Sequence, residues 1–150
     1  MIETHVPARS TLLAIMRGLV VFDTVALIVV ALMHVNGVRI PLGSAVFDEP
    51  QIVPAAIVEG LAGVFFAVSA YAVFAGTRWS WPMTIFAHIF AIVGFIVGIA
   101  ATSGGGAADT PFNYVYHRVM LAVFVIGLAL LLLPGVRAAM NHDDRGTGGA

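Results

Sequence analysis

The sequence predicts an all-α membrane protein, with four transmembrane helices in an up-down bundle and both termini cytoplasmic. Three observations predict it. The chain of 150 residues is 60% hydrophobic and only 10% charged, where a soluble domain carries about 25% charged residues, and its mean hydropathy is +1.00. Four apolar stretches each approach the roughly 20 residues that cross a hydrocarbon core about 30 Å thick. Arginine is spread unevenly over the links between them, a bias that sets orientation.

The first span covers about 12–35. It lacks a small-residue cleavage pattern before the next polar link, and three more spans follow, so a cleaved signal sequence does not fit. The link after it, NGVRIPLGSAVFDEPQ, is the one outer link long enough to fold over the bundle, and Asn36-Gly37 and Pro41 mark turns in it. In the second span, about 52–75, Gly60 and Gly63 thin one side of the helix. GTRWSW turns the chain into the third span, about 82–101, where Gly94 and Gly98 form a GxxxG pair that permits close packing. The Gly-rich stretch TSGGGAADTP leads to the fourth span, about 114–133. Short links make neighbouring helices antiparallel. Residues 12–135 therefore form the transmembrane domain, 1–11 a cytoplasmic N-terminal segment and 136–150 a disordered cytoplasmic tail.

With the N-terminus inside, Arg9, Arg17, Arg78, Arg137 and Arg145 lie on the cytoplasmic side, and only Arg39 and Arg118 lie outside. The expected location is the cell inner membrane. A net charge of −1 offers no basic field for nucleic acid. The absence of cysteine removes disulfides, thiolate metal sites and thiol nucleophiles. No GxSxG, P-loop or HExxH motif is present, so an enzyme is the less expected role. In length and span number the chain is similar to the DoxX-like and MAPEG-type four-span families, and no chemistry follows from that likeness.

Polar residues inside a bilayer face the bundle interior and mark function more often than chance. Here they are Asp23, Glu59, His88, His117 and Arg118, with His34 at the outer edge and Asn113 on the rim. At 1.5 Å per residue they fall into two layers: His34, Glu59, His117 and Arg118 toward the outside, Asp23 and His88 toward the inside. Phe66, Phe95 and Phe124 follow Glu59, His88 and His117 by seven residues each, which returns them to the same helix faces and places three rings between the layers. A lone carboxylate at the depth of Glu59 is expensive, and Arg118 is the expected partner because a guanidinium satisfies both carboxylate oxygens. His34 is expected to be an interfacial side chain, and Asp23 with His88 a hydrogen-bonded pair.

Three functions fit these residues. The first is a non-enzymatic accessory or ligand-binding module with a polar outer chamber, working in the lipid bilayer, alone, as a homo-oligomer or within a larger membrane complex. The second is a redox protein, either holding haem b between His34 and His117 or holding a transition metal on His34, His117 and Glu59. The third is a proton-coupled transporter or channel that uses Glu59 as carrier in an oligomer.

Overall fold

The computed structural model describes residues 6–106 and 110–140. It contains five helices and one two-stranded hairpin: α1 Val6–Asn36, β1 Val38–Leu42, β2 Ala45–Glu49, α2 Val53–Phe74, α3 Ser80–Ser103, α4 Pro111–Leu131 and α5 Pro134–Met140. The stretches Thr11–Asn36, Val53–Phe74, Ser80–Ser103 and Pro111–Leu131 are each long and apolar enough to cross a membrane. Their outward faces carry large apolar side chains, among them Phe22, Leu32, Ile57, Val64, Val93, Ile96 and Ile126. In water so extensive an apolar surface would drive aggregation, whereas in hydrocarbon it is solvated.

Each long helix buries one stripe. On α1 it runs Met16, Val20, Asp23, Leu27, Val30/Ala31 and His34, the three-and-four spacing of a helix face. On α2 the stripe is Ala56, Glu59, Ala62/Gly63, Phe66, Ser69 and Ala72/Val73. α1 packs chiefly on α2, α2 also on α3, and α3 on α4. The expected close-packing glycines are used. A Cβ on Gly63 would lie 2.8 Å from Ile28 of α1, and one on Gly94 2.7 Å from Val58 of α2, both inside van der Waals contact.

The hairpin and α5 differ from what the sequence suggested. Asn36 ends α1, and Gly37 takes the left-handed φ of +64° that stops a helix. Pro41 lies inside β1, opposite Val46, and the turn falls at Gly43–Ser44, with Gly43 at φ +65°. Residues 134–140, which include the start of the expected disordered tail, form α5. Its Val136, Ala139 and Met140 are buried, and Ser80 donates a hydrogen bond to the Met140 carbonyl at 3.2 Å. The rest of that tail lies outside the described residues. At this end Trp81 donates its indole N–H to the Leu131 carbonyl at 2.9 Å, and Arg137 lies over the Trp81 ring.

Candidate functional site

The hairpin end of the molecule holds a chain of buried polar side chains built around His34. This residue is the last on the buried stripe of α1 and is 0% exposed. Its Nδ1 lies 2.8 Å from Glu59 Oε2 on α2, and its Nε2 lies 3.3 Å from Glu49 Oε1 on β2. The second Glu49 oxygen accepts from the Thr110 hydroxyl at 2.6 Å. Thr110 is also the N-cap of α4, accepting from the Asn113 amide at 3.0 Å. One line of contacts thus ties α1, α2, the hairpin and α4 together.

Alternation in β2 places Glu49 in this line. Phe47 and Glu49 share a strand face. Phe47 packs edge-on against Phe112 at 5.4 Å, and Glu49 points into the helices with 1% exposure. The Ile52 amide donates to the His34 carbonyl at 2.9 Å, and the Gln51 side chain donates to the Val35 carbonyl at 2.7 Å. Both bonds strap the end of the hairpin back onto α1.

Beside this line lies a cleft of about 230 Å³ between α2, α3 and α4. Val58, Phe95, Gly98 and Ala101 give it apolar walls, and Glu59, Asn113 and His117 give it polar ones. His117 donates Nδ1–H to the Asn113 carbonyl at 2.9 Å. A carbonyl only accepts, so in the neutral ring Nε2 is left as an acceptor. Gly98 makes room for it: a Cβ there would sit 2.7 Å from Nε2. Glu59 is 2% exposed, and while Oε2 faces His34, Oε1 has no hydrogen-bond partner among the described residues.

The expected Arg118–Glu59 pair is not formed. Arg118 is exposed, donates to the Tyr114 carbonyl at 3.0 Å and stacks on the Tyr114 ring at 3.4 Å. The cause is helical phase. Successive residues turn by about 100°, so with Asn113, Tyr116, His117 and Met120 on the buried face of α4 Arg118 points away. His34 supplies the partner that Arg118 was expected to supply, and its side chain is buried in the bundle rather than exposed at the helix end.

The second polar layer lies beyond the aromatic rings. His88 donates Nδ1–H to the Thr84 carbonyl at 2.8 Å, and its Nε2 is 3.8 Å from Asp23 Oδ2. Both residues are fully buried, but the separation exceeds hydrogen-bond length, so the expected bonded pair is a near contact. Phe66, Phe95 and Phe124 do meet. Phe66 stacks on Phe124 at 5.5 Å, and Phe95 meets Phe124 edge-on at 5.1 Å. Phe66 touches the His88 ring and Phe95 the His117 ring, so the three separate the two histidines.

The metal and haem arrangements are not assembled. Both ring nitrogens of His34 are engaged by carboxylates, so neither is free to ligate iron opposite His117. Among the described residues no three His, Cys, Asp or Glu side chains converge as a metal-binding group.

No family model, curated protein or solved structure matches this chain. Its chemistry is therefore read from its own residues. Sequence reasoning missed Glu49 and Thr110. The signal for Glu49 was a Gly-Ser dipeptide between two five-residue runs, which marks a hairpin and makes Phe47 and Glu49 a strand face. The signal for Thr110 was its place one residue before Pro111, the N-cap position of a helix that starts with proline.

Proposed function

We propose that the chain is a small multi-pass protein of the cell membrane, a non-enzymatic module whose hairpin-end cleft binds a small, partly apolar molecule. One observation carries this reading: a buried carboxylate, Glu59, lines a cleft that is otherwise mostly apolar and keeps one oxygen without a hydrogen-bond partner among the described residues. An unsatisfied buried polar atom costs about 1–3 kcal/mol, more if charged, and a ligand that donates to it recovers that cost. The Nε2 of His117, an acceptor in the neutral ring, adds a second polar contact. A cleft with apolar walls and a few convergent polar groups is the usual form of a small-molecule site.

In the same reading the four long helices form an up-down bundle with both termini cytoplasmic, supported by the arginine distribution. The hairpin and the cleft then face the outer side. A ligand-observed NMR screen of small amphiphiles, with the protein in lipid nanodiscs, tests the binding role. Binders are expected for the wild type and lost in Ala101→Phe, which fills the cleft from its own wall. A screen without binders, or binders indifferent to the filled cleft, contradicts the reading.

A further inference from the structure

We propose that the cleft binds a small organic cation, with its ammonium group on Glu59 Oε1 in place of a proton. This rests on the reading of the cleft as a ligand site and names the chemistry of its ligand.

His34 meets a carboxylate oxygen at each ring nitrogen, at 2.8 and 3.3 Å. A nitrogen or a carboxylate oxygen without a proton only accepts, so each contact must hold one proton, wherever along it that proton sits. Two protons shared by one imidazole and two carboxylates leave a net charge of −1, as in an imidazolium between two carboxylates. Among the described residues no arginine pairs with Glu49 or Glu59 to cancel it. Arg118 is stacked on Tyr114, and Arg39 lies exposed on the hairpin beside Asp48.

Among the described residues, one carboxylate oxygen of the triad is left without a hydrogen-bond partner. Glu49 Oε1 and Glu59 Oε2 face His34, and Glu49 Oε2 accepts from Thr110. Glu59 Oε1 remains, buried and without a partner among the described residues, on a side chain that lines the cleft. The groups facing it from each element are consistent with a cation. α1 brings His34 and the hairpin brings Glu49. α3 brings Gly94, Phe95 and Gly98, none of them titratable. α4 brings Asn113 and His117 to the cleft, with Tyr116 packed behind against Phe95 and His117.

A buried net charge of −1 is costly in a membrane interior. A proton on Oε1 neutralises it, and so does an ammonium group. The ammonium has N–H donors to spare for His117 Nε2, and an apolar body can lie against Val58, Phe95 and Ala101. Proton and cation compete for the same oxygen, so cation affinity falls on acidification.

Calorimetric titration of the full chain in nanodiscs of zwitterionic lipid, with benzylammonium, benzyl alcohol and benzoate as probes of one shape, tests this. Benzylammonium is expected to bind at least about tenfold more tightly than benzyl alcohol, to weaken as pH falls, and to lose its advantage in Glu59→Gln. Equal binding of the alcohol and the ammonium, preference for benzoate, or an ammonium preference that survives Glu59→Gln overturns the cation assignment and leaves the cleft a ligand site. Binding of none of the three overturns both. Should Glu59→Gln fail to fold, the wild-type ammonium-to-alcohol ratio and its pH trend decide alone. Ammonium binding that survives the cleft-filling Ala101→Phe also overturns the assignment.

Discussion

At His34 two buried carboxylates share one imidazole, so its removal strands both. His34→Ala is expected to destabilise the protein by about 3–5 kcal/mol, the loss typical of breaking a buried pair from one side. The effect should couple to Glu59: in a cycle of His34→Ala, Glu59→Gln and the double variant, the losses are expected to differ from additivity by roughly 0.5–3 kcal/mol. Arg118→Ala, which changes an exposed side chain, should shift stability by about 0.5 kcal/mol or less. Melting curves in detergent check all four variants, and additive losses at His34 and Glu59 would contradict the contact. Residue by residue, the sequence indicated that Asp23, Glu59, His88, Asn113 and His117 turn to the interior, as they do, because a polar group in an apolar segment is costly against lipid. It did not indicate which of them meet. Glu59 lies on the face toward His34, and Arg118 lies one residue past the buried face of α4, a difference of phase that composition does not resolve.

The four long helices were legible from apolar length alone, and their interior stripes from three-and-four spacing, as the meeting of Phe66, Phe95 and Phe124 shows. The hairpin is less legible, because its strands are only five residues each beside long apolar spans and Pro41 within β1 weakens the strand signal. Its contribution depends on Thr110, which caps α4 and holds Glu49 at the same time. Thr110→Val removes both bonds while keeping the shape, and a loss of about 1–3 kcal/mol is expected. Thr110→Ser should retain most of the stability, since the hydroxyl remains. Hydrogen exchange localises the effect: faster exchange is expected in the hairpin and the first turn of α4, with α3 unchanged. Uniform acceleration throughout would show that Thr110 acts on the fold as a whole instead.

At the scale of the whole molecule, the three phenylalanine rings divide the interior into a hairpin side and an α5 side. The proposed orientation puts the hairpin side outside. Reporter fusions at the C-terminus and in the 103–110 link check it: a cytoplasmic signal is expected from the first and an external signal from the second, and the reverse pattern would invert the scheme. The division itself predicts that a ligand in the cleft is felt on one side only. The most direct measurement is a titration of protein carrying ¹⁵N-labelled histidine, in nanodiscs, with benzylammonium, followed through the ring nitrogens. His117 Nε2 and the two nitrogens of His34 are predicted to shift together as the cleft fills, while His88 behind Phe66 and Phe124 stays in place. Unmoved His34 and His117 signals, or a His88 shift as large as theirs, would contradict a cleft site centred on Glu59.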